Sequence, residues 1–262
     1  MSRYGEHLLP SQPTEAQLEK SKKPFEKAFR EAEEESFSRN LVWGNFANTR
    51  NEKIELNQFC EGVRDLEGTS YVQLDDLDFH ARNAGRVAGL LSAGCIDNSL
   101  RDQVASTFSD SSIGNDVVNP GSLLDAILRA QMDLNVLKAP FGNRFVVLHP
   151  ETWYHLEGQL INKKIDYTSS NSDSRLAGTA FNFGFWLDTG IQAVESSSNY
   201  FPAYYGSGNV LGLRLDFPIV YPHPSGTIPH TMNWSVTYAR KFGVEMFDTP
   251  TIFRICVEST GE

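Results

Sequence analysis

The run Asn135 to Leu156, NVLKAPFGNRFVVLHPETWYHL, constrains the fold more than any other stretch of this chain. It predicts a helix end, a basic turn, a short buried strand and a second helix, so close together that all three elements must pack on one another. Ahead of it, Asn119-Pro120 predicts a helix start. The asparagine side chain accepts from an otherwise unpaired amide, and proline loses no hydrogen bond at the first helical position. Leu123, Ile127, Ala130 and Leu134 then fall on one apolar face, and Pro140 and Gly142 stop the helix. Phe145-Val146-Val147-Leu148 is continuous, apolar and too short for a helix, which predicts a strand covered on both faces. His149 is read as the cap of a helix that Pro150 begins, with Glu151 near its positive end and Trp153, Leu156 and Leu160 on its buried face. Arg144 is read as a contact at the strand edge.

Elsewhere the patterning is mixed. Leu74, Leu77, Ala81, Ala84, Ala88, Leu91 and Cys95 keep helical spacing, and Asp75, Asp76 and Asp78 sit where they favour a helix start. Gly85, Gly89 and Gly94 each weaken that helix by roughly 1 kcal/mol relative to alanine. They allow either bending or the close approach of another backbone. Thr14 to Glu35 is charged, with Leu18, Phe25, Phe29 and Ala32 on a narrow stripe interrupted by Pro24. Such a helix has little to bury and reads as an arm on a neighbouring subunit or a solvated segment. Leu41-Val42-Trp43 and Lys53-Ile54-Glu55-Leu56 are predicted as short strands joined by a polar turn, and Ser106 to Asn119 and Lys163 to Gly178 as loops. The last third alternates with period two at Phe181, Phe183 and Phe185, at Leu211, Leu213, Leu215 and Phe217, at Trp234, Val236 and Tyr238, and at Ile252, Arg254 and Cys256. Pro222, Pro224 and Pro229 require a loop or an edge. The class is α+β.

No constellation for chemistry emerges, and no catalytic, cofactor-binding or metal-binding residue is assigned. A net charge of -10 and a pI near 5.1 argue against a chain whose main task is gripping phosphates. His149 with His155, and His223 with His230, lack the spacing of paired ligands on one helical face. Gly206-Ser207-Gly208 lacks the setting of a nucleophile elbow, and Gly184 to Gly190 contains no lysine for a phosphate loop. Tyr200, Phe201, Tyr204 and Tyr205 have no interleaved cations for base stacking and read as a loop anchored in a subunit contact. Cys60, Cys95 and Cys256 are too few and scattered for a disulfide framework, which suits a reducing cytoplasm. No apolar run is long enough to span a membrane, and Met1 to Pro13 is too polar for a signal peptide.

A helix ending in D-x-N-V, then G-x-R, a hydrophobic strand and P-x-x-W-x-x-L resembles the assembly domain of tailed-bacteriophage major capsid proteins of the Hong Kong 97-type fold. Asp133, Asn135, Val136, Gly142, Arg144, Pro150, Trp153 and Leu156 carry the match. Tyr71 to Leu100, with Ile96-Asp97-Asn98-Ser99-Leu100, is similar to that family's spine helix and its approach. Trp234 to Val257, with Arg240-Lys241-Phe242-Gly243-Val244, is similar to its closing strands. The resemblance spans roughly residues 54 to 257. It implies an N-terminal arm at 1–40, an extended loop at 41–72, a peripheral domain with the spine helix at 73–117, an axial domain with a central sheet at 118–232, and closing strands at 233–262. It further implies a non-enzymatic subunit that assembles into hexamers and pentamers of an icosahedral virion around double-stranded DNA, in host cytoplasm. Scaffolding and portal proteins, and in some heads decoration proteins, are the implied partners. An encapsulin-like compartment of the same fold stays open, as does a soluble hydrolase or carbohydrate-binding module built on the aromatic last third.

Overall fold

The computed structural model describes residues 15–39, 41–49, 53–66, 77–108, 116–169, 175–193, 200–225, 233–247 and 252–259. Its helices are α1 (Glu15–Arg39), α2 (Leu77–Thr107), α3 (Leu123–Val136) and α4 (Pro150–Asn162). Its strands are β1 (Ala47–Asn48), β2 (Gln58–Leu66), β3 (Asp116–Val118), β4 (Arg144–Leu148), β5 (Thr168–Ser169), β6 (Leu176–Ala180), β7 (Phe183–Leu187), β8 (Tyr200–Ser207), β9 (Leu211–Leu215), β10 (Ile219–Ser225), β11 (Asn233–Met246) and β12 (Ile252–Glu258). The chain divides into two compact units. The first comprises Met1–Ser36, Leu56–Cys95 and Leu215–Phe242, and the second Phe37–Glu55, Ile96–Arg214 and Gly243–Glu262.

The second unit is built on the strand foreseen at Phe145. β4 is buried at every position and lies inside a seven-stranded sheet of order β3-β12-β8-β4-β7-β6-β5. It runs parallel to β7 and antiparallel to β8, with Val146 opposite both Phe185 and Tyr205. Val146 and Leu148 meet the apolar faces of both helices: Leu123, Ile127, Ala130 and Leu134 of α3, and Trp153, Leu156 and Leu160 of α4. Phe145 serves the opposite face, where its ring stacks on Phe46 at 3.9 Å. Two-sided burial is why this strand reads as an unbroken apolar run.

Several local expectations are corrected in this unit. Leu41-Val42-Trp43 is no strand: Trp43–Phe46 forms a 3-10 turn whose aromatic rings pack on Phe145, Trp186 and Tyr204. Lys53 to Leu56 is likewise outside any strand. Phe181 leaves the predicted alternation. With Asn182 it makes a two-residue hairpin turn between β6 and β7, both at positive φ (53° and 65°), the backbone twist that closes such hairpins. The segments read as loops contribute the short strands β3, β5 and β6. Tyr200 to Tyr205 is strand β8, paired with β12 and β4, and not a loop. In the first unit, Phe217 lies beyond β9 and is exposed.

In the first unit β11 lies between β10 and β2, antiparallel to both. Pro222 and Pro224 fall on β10, which pairs only with β11 among the described strands, so the edge alternative holds. Val220, Val236 and Tyr238 point to one face and pack with Phe25 and Phe29 of α1 and Ala81, Ala84 and Ala88 of α2. The charged N-terminal segment therefore buries a real stripe, contrary to expectation, and α1 runs continuously past Pro24. Leu18 has no described side chain, and Tyr71 to Asp76 lies outside the described residues.

α1 and α2 meet almost backbone to backbone. A Cβ on Gly85 would lie 2.4 Å from the carbonyl oxygen of Phe25, and one on Gly89 would lie 2.3 Å from that of Phe29. No side chain fits there, which decides between the two readings of these glycines in favour of close approach. Gly94 faces open space, and α2 runs unbroken through all of them. Leu91 departs from its expected burial and is 45% exposed, because Ser92 takes the inward position.

Candidate functional site

The motif around Asn135 to Leu156 is an architectural joint. α3 ends with Lys138 at φ 55°, the Lys138 amide donating to the Asn135 carbonyl and the Ala139 amide to the Leu134 carbonyl. This is a Schellman ending, and α4 ends the same way at Lys164, again without glycine. Arg144 is buried rather than at a strand edge: its guanidinium donates to Asn135 Oδ1 at 2.7 Å, Ala139 O at 2.8 Å and Pro140 O at 3.3 Å. It also lies 4.4 Å from the Phe141 ring centroid. Asn135 and Arg144 thus hold one another and close the turn that links α3 to β4. His149 caps α4 as expected, its Nδ1 accepting from the Glu151 amide, and Asn119 accepts from the Ser122 amide. The His149 ring stacks on Phe201 at 4.0 Å, and burial lowers its pKa.

Buried polar groups elsewhere are satisfied in ways that favour structure. In the second unit Asp97 accepts from the backbone amides of Val42, Trp43 and Gly44, so it caps the Trp43–Phe46 turn. Burial dominates these contacts, and with the nearby charge of Asp188 it pushes the Asp97 carboxyl up to about 6. Asp188 accepts from Trp43 Nε1 at 2.7 Å and lies 3.6 Å from Arg101. In the first unit Glu33 meets Arg240 at 2.7 Å and accepts from Ser92 at 2.9 Å. Burial raises the carboxyl pKa and lowers that of the guanidinium, each offset in part by its partner. Cys60 and Cys95 are joined in a disulfide, with Cα atoms 6.1 Å apart, which the sparse cysteine content concealed.

Among the described residues, those weighed for chemistry do not converge. Ser207 donates its hydroxyl to the Pro140 carbonyl at 2.8 Å, spent on the same turn that Arg144 closes. Asp78 pairs with Arg82 on the exposed surface, and Asp75 and Asp76 lie outside the described residues. Among the described residues no group of three or more His, Cys, Asp and Glu side chains is arranged to hold a metal. A cleft of about 740 Å³ in the second unit is lined by Arg101, Phe108, Tyr200, Tyr204, Arg254 and Cys256. Burial pushes the Tyr204 hydroxyl up to about 12 and raises the Cys256 thiol, so neither is a ready nucleophile at neutral pH.

What the chain does offer is apolar surface. Leu128, Met132 and Val136 form an exposed ridge along α3 that continues to Leu137 and Phe141, and Tyr154 and Ile161 are exposed on α4. Surface of this kind serves contacts between proteins more readily than chemistry on small molecules.

No family model matches the sequence, and no curated protein does. Solved structures do match. A structure from Mycobacterium phage Che8 aligns at a TM-score of 0.50 with 10% identity, over 86% of this chain and 93% of that one. The capsid structure of cyanophage P-SCSP1u aligns at 0.49 with 10% identity, over 80% and 74%. A virus-like particle from Pyrococcus furiosus aligns at 0.47 with 12% identity, over 88% and 98%. The likeness is one of fold, and the chain has an α+β fold of the Hong Kong 97 type.

Proposed function

We propose that this chain is the major capsid subunit of a tailed bacteriophage, assembling as hexamers and pentamers into an icosahedral head around double-stranded DNA. The single observation that carries the reading is the Hong Kong 97-type fold, aligned over 86% of this chain and 93% of the Che8 phage structure. The ordered motifs from Asp133 to Leu156 support it independently, because they recur as the joint that ties α3, β4 and α4 together. Function then resides in surfaces: one subunit makes similar contacts in rings of five and six, and weak contacts to several neighbours add up. In this reading α1 belongs to the arm, α2 is the spine helix of the peripheral domain, and the seven-stranded sheet is the core of the axial domain. Scaffolding and portal proteins act during assembly in host cytoplasm, decoration proteins are a possible later addition, and the virion is the final location. No step requires catalysis or a cofactor.

Electron microscopy and light scattering of the purified protein test this. Closed shells or capsid-like tubes at the megadalton scale are expected, and DNA-filled heads when the protein is produced with its phage. A monomer or small oligomer at all concentrations overturns the reading. Shells that enclose a protein cargo in place of DNA convert it to a compartment.

A further inference from the structure

Three turns of the second unit meet at one end of its seven-stranded sheet: the turn before β4, the hairpin between β6 and β7, and the turn after β8. Strand direction brings them together. β4 and β7 are parallel and start at that end, β8 runs against β4 and finishes there, and Arg144 lies opposite both Phe183 and Ser207. The Gly208 amide donates to the Asn143 carbonyl at 2.9 Å and ties two of the turns. Each turn carries an exposed asparagine: Asn143, Asn182 and Asn209. Below them, on the Phe145 face of the sheet, is a cleft of about 610 Å³. Its floor dips at Gly184, which the register sets between Phe145 of β4 and Thr179 of β6. A Cβ on Gly184 would lie 3.1 Å from Trp186 Nε1, so the missing side chain is what leaves room there. Phe46 and the half-buried Trp186 supply an aromatic wall, with ring centroids 5.6 Å apart and edge to face. The volume falls within the roughly 300–1,000 Å³ usual for small-molecule sites.

The chemistry of the lining identifies the class of ligand. Among the described residues Arg144 is the one charged group that lines the cleft, and its guanidinium is spent on Asn135, Ala139 and Pro140. A phosphate, a nucleotide or an acidic headgroup therefore finds no available cation. An extended peptide finds no strand to pair with, because β4 and β7 are each bonded on both sides. What the cleft does offer is a ring face and a set of carboxamides. The Asn143, Asn182 and Asn209 amides make no hydrogen bond among the described residues, and each carries donors beside an acceptor. Neighbouring hydroxyls on a sugar ring both donate and accept, and so match a carboxamide. The C–H face of the same ring is apolar and suits an aromatic wall.

We propose that this cleft binds a short neutral saccharide, its ring laid against Trp186 and its hydroxyls held by Asn143, Asn182 and Asn209. The inference goes beyond the shell-subunit reading and stands without it. On a shell, it adds recognition of a glycan to a protein that otherwise acts through contacts with its own copies.

Saturation-transfer NMR tests it, since the method reads the small ligand and tolerates a particle of any size. The probes are methyl glucoside, methyl galactoside, methyl mannoside and N-acetylglucosamine, with glucuronic acid as the anionic control, each added to the full-length protein. At least one neutral probe is expected to bind with a Kd of about 1–10 mM, the range for so small a ligand. Trp186→Ala is expected to weaken that binding about tenfold. Asn143→Ala with Asn209→Ala, both at exposed turn positions, is expected to weaken it about fivefold or more with circular dichroism and melting like those of the parent. If Trp186→Ala does not fold, the asparagine pair decides alone. No transfer from any neutral probe at about 50 mM overturns the proposal, as does undiminished binding by the folded variants. Tighter binding of glucuronic acid than of every neutral probe also overturns it, because charge would then be the determinant. Binding to unassembled subunits that is absent from closed shells gives the cleft to a contact between copies and overturns it as well. If the protein forms no shell at any concentration, the shell reading fails, and the same titrations judge the cleft on the species that is present.

Discussion

The two units of this chain stabilise themselves in opposite ways. The second is organised around a fully buried strand, with large aliphatic and aromatic side chains from α3 and α4 on one face and stacked rings from Trp43 and Phe46 on the other. The first has a smaller apolar cluster and adds a backbone-to-backbone helix contact, a buried ion pair and a disulfide. The contrast shows that a core made of large side chains announces itself by periodicity. A core made by small residues, paired charges and a covalent tie does not.

Removing one partner of the ion pair is expected to widen that contrast most. Glu33→Ala leaves Arg240 buried without its counter-charge and costs about 3–5 kcal/mol, read as a lower denaturant midpoint. Replacing both residues with methionine is expected to recover much of the loss. A double variant no better than the single would show that the pair contributes more than mutual neutralisation.

Reduction of the Cys60–Cys95 disulfide comes next. It closes a loop with a sequence separation of 35, and losing it costs about 4 kcal/mol by relaxing the constraint on the unfolded chain. Hydrogen exchange is expected to show the loss in α1, the Leu77–Cys95 part of α2 and β2, with β4 and α3 unaffected. Equal loosening in β4 would mean that the two units do not open independently.

The pH response separates the units at the level of single acids. The Asp97 carboxyl titrates at about 6, above its ordinary 3.8, so the folded protein holds this proton more tightly than the unfolded chain does. Its contribution is fully present below about pH 4 and is lost as pH rises through 6, by about 2–3 kcal/mol. Asp97→Asn is expected to flatten the melting temperature between pH 4 and 7 relative to the parent. A slope unchanged by this substitution would place the titration on another group.

The smallest expected effects distinguish glycines on one helix. Gly89→Ala drives a methyl group into the Phe29 carbonyl and is expected to destabilise by about 2 kcal/mol. Gly94→Ala meets open space and is expected to stabilise by about 1 kcal/mol through helix propensity alone. Similar effects at both positions would mean that α1 is not seated on α2 as described.

Most of the second unit was legible before its structure. The caps at Asn119 and His149, the apolar faces of α3 and α4 and the covered strand at Phe145 all follow from local rules, because each acts within a few residues. Arg144 was not legible. An arginine at the start of a strand signals an exposed edge, and only the turn folding back between Asn135 and Pro140 supplies the acceptors that make its burial tolerable. The turn at Phe181-Asn182 was hidden for a related reason: tertiary packing holds phenylalanine at a positive φ that its own preference disfavours. Among candidate surfaces, the alternation of Phe59, Glu61 and Val63 gives no sign of which face is inward until β11 pairs with β2.

By itself the sequence determined the class, the helix-strand-helix joint and the acidic balance, since these depend on composition and on interactions a few residues apart. Tertiary structure alone decided that Gly85 and Gly89 admit another helix, that Cys60 meets Cys95, and that Glu33 meets Arg240. These pairings join residues far apart in the chain. Nothing local distinguishes a small residue that yields space to a distant backbone, or a charge that meets a distant counter-charge, from one facing water.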